Sequence, residues 1–220
     1  MFLGYDLSII FEKFHIFIPA AFETLKITTA AIIFGLVIGL ITALARLSKI
    51  KIIKWPFSIY VTIIRGTPIL LQLFVIYYGI VRIIKFDSFT SAAIAFGLHN
   101  GAYIAEIFRG AIVSIDIGQT EAARSLGMTK VQAMRRVVLP QALKRAVPPL
   151  GNQFIIATKD SSLAMTIAVR ELLLKAQQLG SSTFRQMEYL IIAGIYYLIM
   201  TSILTLLLHK LERRLAVSDR

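Results

Sequence analysis

Cysteine is absent from this chain, which excludes a disulfide framework and any thiolate metal site. Charge is also scarce. Only 16% of the 220 residues are Asp, Glu, Lys or Arg, against about 25% in an average soluble protein. That is too little to cover a water-soluble domain of this size. Hydrophobic residues make up 57%, with a mean hydropathy of +0.74, and this apolar excess must face something other than water. Acidic residues are scarcer still, 12 against 24 basic ones, so the net charge is +12 and the pI near 10.1. In a soluble protein that balance points to nucleic acid. Here the basic residues cluster between long apolar runs, the pattern of cytoplasmic loops on a membrane protein, and no nucleic-acid partner is expected. No G-x-x-x-x-G-K-[ST] phosphate loop occurs, so any nucleotide-driven work must be done by another chain. His15, His99 and His209 are far apart and lack metal or triad spacing; no metal is expected. The start, MFLGYDLSIIFEKFH, has no basic segment followed by a small-residue cleavage site. A cleaved signal peptide is not expected, and the first spanning helix should direct insertion.

What is present is an all-α pattern. Five segments are predicted to cross a bilayer: Ala20 to Ala45, Trp55 to Val81, Ser88 to Val113, Val147 to Val169 and Tyr189 to Leu208. The uncharged part of the first, Ile27 to Ala45, covers roughly 28 Å, about one hydrocarbon core. The second is interrupted at Arg65-Gly66-Thr67-Pro68 and the fourth at Lys159-Asp160; the fifth ends at the basic tail HKLERR. One set of loops holds Arg46, Lys49, Lys51 and Lys54, then Arg124, Lys130, Arg135, Arg136, Lys144 and Arg145, then the tail with Arg220. The other set holds only Lys13, Arg82, Lys85, Arg170, Lys175 and Arg185. The basic side should be cytoplasmic, which puts the N-terminus outside and the C-terminus inside. Residues 1–220 read as a single transmembrane domain, with no evident repeat. Gly35, Gly39 and Ala43 recur every four residues, a spacing that lets a second backbone come close or that arises by chance in a small-residue segment. Tyr77, Tyr78, Tyr189, Tyr196 and Tyr197 suit interface anchoring or packing better than ligand contact.

The longest polar stretch, about 114–145, reads as two short helices. The first covers Glu121 to Leu126 and stops at Gly127, which tolerates left-handed backbone angles. The second starts after Thr129, whose T-x-x-Q spacing to Gln132 matches a capping box, and is expected to end near Pro140. Such an elbow presents Ala122, Ala123 and Leu126 as a small apolar knob with Glu121 as a charged contact; an ordinary amphipathic surface loop would look similar. The string itself goes further. Glu121-Ala122-Ala123, three residues, Gly127, nine residues and Val137-Val138-Leu139-Pro140 resembles the EAA loop of type I ABC importer permeases, with Val137 where Ile is usual. RGTPILLQLFVIYYG (Arg65 to Gly79), AYIAEIFRGAI (Ala102 to Ile112), GQTEAARSLGM (Gly118 to Met128), LPQALKRAVPPLGNQFI (Leu139 to Ile155) and KDSSL (Lys159 to Leu163) resemble the branch that imports histidine, glutamine and arginine. Asn100-Gly101 departs from it, standing where small residues such as Ser-Ala are expected.

The resemblance implies the membrane subunit of an ATP-driven importer for polar amino acids, working by alternating access. It implies no catalytic residue and no cofactor on this chain. ATP-Mg would bind a pair of ATPase subunits gripping the elbow at Glu121, Ala122, Ala123, Leu126, Gly127 and Pro140. A second permease chain, in a homodimer or heterodimer, and an extracytoplasmic solute-binding protein would complete the assembly. Its place would be the inner membrane of a prokaryote.

Charge within a span costs about 2.5–3.5 kcal/mol on insertion scales, so each case needs a reason. Glu106 and Arg109 are three residues apart and suit a structural ion pair. Asp160 lies midway along the fourth segment, followed by Ser161 and Ser162, which can support local unwinding. A bare acid at that depth fits the cationic group of an amino acid, or Lys159 and Asp160 neutralise neighbours such as Arg65. Thr67, Arg65, Asn100 and Ser161 join Asp160 and Lys159 as candidate substrate contacts. Asp160 favours a basic amino acid such as arginine, with glutamine or histidine next. The rival readings are an ion channel or secondary amino acid transporter, which leaves the EAA string unexplained, and a non-transporting scaffold.

Overall fold

The computed structural model describes residues 8–79 and 84–217. The extreme N-terminus, the expected second-span end at Val81, Arg82 and Arg220 lie outside the described residues. Every described element is a helix, as an apolar chain in lipid requires, because only helices and closed barrels satisfy their own backbone there.

Helix α1 (Ser8–Lys13) passes through a tight turn at Phe14–Phe17 into α2 (Ile18–Leu47). Pro19 falls in the first turn of α2, where its missing N–H breaks no ladder bond. Helix α3 (Lys51–Arg65) and α4 (Ile69–Phe74, continued by a wide turn at Val75–Gly79) are the two halves of the interrupted second segment. Their axes differ by 111° at the Gly66–Pro68 break. Helix α5 spans Ser88–Val113, the bounds expected from sequence, because the Asp87 side chain accepts from Thr90 N at 3.3 Å and starts it. That hydrogen bonding from Thr90 also holds the exposed Asp87 carboxyl below the usual carboxylate range.

The elbow consists of α6 (Ile117–Ser125) and α7 (Lys130–Ala133). Gly127 between them has φ +84°, a conformation that costs glycine little. The Thr129–Gln132 capping box forms in both directions, at 3.2 and 2.8 Å. Pro140 does not end this helix, contrary to expectation. A wide turn at Met134–Val138 feeds α7 into α8 (Leu139–Asp160), with Leu139 N donating to Met134 O five residues back. The five-residue bonding loosens the ladder at the point where proline lacks a donor. After Asp160 the chain tightens into a 3₁₀ stretch at Ser161–Ile167, closed by Ala168 at φ +62°. Helix α9 (Leu172–Thr183) starts on Glu171, whose carboxylate accepts from Leu173 N and Leu174 N at 2.8 and 2.7 Å. Helix α10 (Gln186–Val217) runs on through the basic tail instead of stopping at Leu208, since nothing from His209 to Arg214 breaks a helix.

Two continuous helical stretches, Ser8–Leu47 and Gln186–Leu215, are long and apolar enough to cross a membrane, and the bent α3–α4 pair makes a third if taken as one span. Helices α5 and α8 are more polar, carrying His99, Asn100, Glu106 and Arg109 in the first and Lys144, Arg145, Gln153, Lys159 and Asp160 in the second.

Helix α5 is the centre. It packs on α2, α3, α4 and α8, and its contact with α2 is the most extensive in the bundle. The Gly35, Gly39 and Ala43 face provides that contact. A Cβ on Gly39 would come within 2.6 Å of Ile104 Cγ2 and 3.0 Å of Gly101 O, and one on Gly35 within 3.2 Å of Gly97 O. The end of the bundle next to the elbow is filled by Ile104, Phe108, Ile112, Val138 and Ala146, the opposite end by Phe17, Leu172, Tyr189, Ile192 and Tyr196. Tyr189 and Tyr196 are buried packing residues, whereas Tyr78 is exposed.

The fold predicts that Gly39→Ala lowers the melting temperature of the assembled, detergent-purified protein by several degrees, since overpacking a tight contact costs about 1–3 kcal/mol. Gly194 has open space around it, and Gly194→Ala should leave the melting temperature level or raise it slightly. Equal behaviour of the two variants would refute this account of the α2–α5 contact.

Candidate functional site

The break between α3 and α4 frees backbone carbonyls inside the bundle, and one side chain gathers them. Gln72 Nε2 donates to Ile64 O (2.8 Å), Thr67 O (3.1 Å) and Thr67 Oγ1 (2.9 Å). Thr67 Oγ1 in turn donates to Ile63 O at 2.8 Å. Across the gap, His99 Nδ1 lies 3.0 Å from Gln72 Oε1. The next residue of α5, Asn100, donates to Phe96 O at 2.7 Å and accepts from Gln153 Nε2 of α8 at 2.8 Å. Asn100 is 1% exposed. Its amide clamps α5 to α8 and is not open to a ligand. Thr67 and Gln72 border a cavity of about 230 Å³ whose remaining walls, including Ile63, Leu71, Val75 and Leu98, are apolar.

Asp160 stands two turns beyond Gln153, about 10 Å along α8. It is half-buried, and among the described residues no hydrogen bond or ion pair engages its carboxylate. Lys159 is exposed and makes no direct ion pair among the described residues, though its charge acts on the neighbouring Asp160. Ser161 is not available as a ligand contact: it is fully buried and its hydroxyl donates to Thr158 O at 2.8 Å, satisfying a carbonyl at the helix end.

Arg65 is not the counter-ion of Asp160 either. It lies 3.7 Å from Glu106 Oε1 and 5.4 Å from the Tyr103 ring centroid. Glu106 sits six residues inward of Asn100, so the two acids are separated by roughly 20 Å along the bundle. Glu106 is the hub of an ion network. Arg46 of α2 hydrogen-bonds Oε1, and Arg109 bonds Oε2 through Nε at 2.9 Å and Nη2 at 2.8 Å. The expected Glu106–Arg109 pair is present, and α2 and α3 each add an arginine to it.

On the elbow, Glu121, Ala122, Leu126, Gly127 and Pro140 are exposed, Leu126 by 81%. Ala123 is not part of the exposed knob. It is the buried residue of α6, which packs on α7 and the wide turn; one step of 100° from Ala122 turns it to the inner face. Exposed Ile117 and Val131 enlarge the apolar surface instead. The first turn of the elbow is tied to α8, and α8 to the end of α5. Arg145 Nη1 donates to Ser114 O and Oγ, and Gln141 Nε2 donates to Gln119 Oε1 at 3.1 Å.

The structure thus joins Thr67 and Asn100 through His99 and Gln72, brings Arg65 to Glu106, and leaves Lys159 and Asp160 apart from both. Gln72, His99, Gln153 and Arg46 were missed from sequence. The signal for the first three was available: each is a polar residue inside an apolar run, which lipid tolerates only with a partner.

Glu106→Gln should destabilise the bundle by about 2 kcal/mol or more, because it leaves the guanidiniums of Arg46 and Arg109 uncompensated. Arg65→Gln, which removes the longest and most exposed arm, should cost under about 1 kcal/mol. Denaturant or thermal unfolding in detergent measures both; a larger loss for Arg65→Gln overturns the hub assignment.

Comparison with known proteins bears on the same segments. Residues 35–217 match the family model for the binding-protein-dependent transport system inner membrane component. The L-cystine transport system permease protein TcyB of Bacillus subtilis (strain 168) is 46% identical over 196 residues, 88% of this chain and 84% of the relative. The glutamine transport system permease protein GlnP of Escherichia coli (strain K12) is 39% identical over 218 residues, 98% of this chain and all (100%) of the relative. A solved amino acid ABC transporter with histidines superposes with a TM-score of 0.91 at 40% identity, covering 96% of this chain and 100% of that one. Helical fold, elbow and matched residues agree, and the chain belongs to the family of inner-membrane components of binding-protein-dependent ABC importers, multi-pass permeases whose ATPase is a separate subunit.

Proposed function

We propose that this chain is the permease subunit of an ATP-driven importer for polar amino acids, with a preference for a basic side chain. The carrying observation is the elbow. An exposed ridge of Glu121, Ala122 and Leu126 runs along a short helix, α6, whose first turn is hydrogen-bonded to α8 through Gln119 and Gln141, while Arg145 of α8 bonds Ser114 at the end of α5. Force applied to that ridge is delivered to the helices that hold Asn100, Gln153 and Asp160. The cystine and glutamine permeases it resembles support a polar amino acid cargo. The open carboxylate of Asp160 supports a cationic group on that cargo, arginine first, then histidine or glutamine.

In this reading the whole chain is one domain with five crossings, N-terminus outside and C-terminus inside, following the basic loops. Two copies face each other, because one bundle cannot enclose a path. Two ATPase subunits, each binding ATP-Mg, grip the elbows around Glu121, Gly127 and Pro140. A solute-binding protein delivers the amino acid from outside. ATP draws the ATPase pair together, the elbows follow, and the helices open outward.

The test is reconstitution of the chain with its ATPase and binding protein in nanodiscs, screening the twenty amino acids for stimulated hydrolysis. Basic amino acids should stimulate most. Asp160→Asn should weaken apparent affinity for them about tenfold, the value of one charged hydrogen bond, with assembly intact. Leu126→Ala with Glu121→Ala should cut stimulated transport while amino acid binding stays level. Unchanged affinity in Asp160→Asn removes the acid from the site; full coupling in the double variant removes the ridge from the drive.

A further inference from the structure

The link between α2 and α3 borders a cavity of about 590 Å³, within the range of small-molecule sites. Its walls carry Arg46, Lys49, Lys51, Lys54 and Arg109, with Ser48 beside them and no carboxylate. Glu106 reaches Arg46 and Arg109. Lys49, Lys51 and Lys54 are exposed and have no ion-pair partner among the described residues. Five basic side chains against one carboxylate leave four positive charges around one hollow. Like charges held this close repel unless an anion joins them.

The surroundings say what kind of anion fits. Leu47 lines the same cavity, and Leu44 and Leu40 continue its face up α2, 44% and 38% exposed. On α3, the stripe next to Lys51 and Lys54 is Ile52 and Trp55, 85% and 70% exposed. A tryptophan beside lysines, at the end of a spanning helix, is the composition of a headgroup boundary. A soluble anion would gain nothing from these apolar faces, which lead away from the cavity; an anion bearing acyl chains would cover both.

We propose that this cavity binds the phosphate headgroup of an anionic glycerophospholipid, with its acyl chains along Leu40 and Leu44 on one side and Ile52 and Trp55 on the other. Assignment to the inner leaflet rests on the orientation proposed above; the headgroup site itself does not. Occupancy ties the ends of α2 and α3 together next to the Glu106 network, so it also steadies the joint between the bundle and its polar interior.

The test uses the permease–ATPase complex in nanodiscs containing phosphatidylglycerol or phosphatidylcholine, with retained lipid counted by native mass spectrometry after detergent extraction. The variant Lys49→Gln/Lys51→Gln/Lys54→Gln should lose retained phosphatidylglycerol about a hundredfold, since each basic residue near an anionic surface contributes roughly fivefold. The equal charge change Lys13→Gln/Arg170→Gln/Lys175→Gln, at the other end of the bundle, should leave retention within about threefold. Melting temperature and complex assembly check that both variants fold. Equal loss in the two variants means general surface attraction and overturns the proposal. So does undiminished retention in the first. Displacement of the lipid by millimolar inorganic phosphate assigns the cavity to a soluble anion, and loss of ATPase binding with lipid retained assigns it to a protein contact; either result also overturns it.

Discussion

Hydrocarbon offers no hydrogen bonds, so a polar group this chain carries into the membrane is costly unless it finds a partner within the protein or faces a water-filled path. The approach of α2 to α5 makes that possible. Because Gly35 and Gly39 stand where side chains would collide with Gly97, Gly101 and Ile104, α5 is drawn to the middle of the bundle. His99, Asn100 and Glu106 then all sit on an interior helix with neighbours on several sides. Gln72 answers His99, Gln153 answers Asn100, and three arginines answer Glu106. A wider α2–α5 spacing would leave these groups facing lipid or unpaired.

The end of the bundle away from the elbow is held by a different device. Glu171, fully buried, accepts from Leu173 N, Leu174 N and the Tyr197 hydroxyl at 2.7 Å. Leu172 N donates to Thr24 Oγ1 at 3.3 Å. One carboxylate and one hydroxyl therefore fix α2, α9 and α10 to each other. Between this fixed end and the elbow lies a stretch where the helices are broken: Gly66–Pro68, Ser161–Ile167 and Ala168.

Much of this was legible in the chain itself. The expected bounds of α5 coincide with the observed ones, and the Gly127 turn and Thr129 cap follow from local chemistry that lipid does not alter. The expected five crossings stand beside two long apolar helices among the described residues, or three with the bent pair, because polar residues interrupt α5 and α8. Proline misled at Pro140, where a wide turn absorbs the missing donor. Ala123 misled because its motif suggests contact while its position on α6 faces inward. Asn100 looked like a pore ligand, and its true partner, Gln153, lies 53 residues away, beyond the reach of local pattern. Ser161 suits a ligand contact and a helix terminus for one reason: a small hydroxyl bonds whatever carbonyl is nearest, here Thr158 O.

The wide turn at Met134–Val138 has a mechanical meaning. It holds one residue more than a regular ladder needs at the root of α8, and each residue of an α-helix is worth about 100° about the axis. If that surplus residue shifts along the chain, α8 swivels without losing its net bond count or tilting far from its neighbours. The carboxylate of Asp160 at its far end then swings as a cam does when the shaft beneath it is turned.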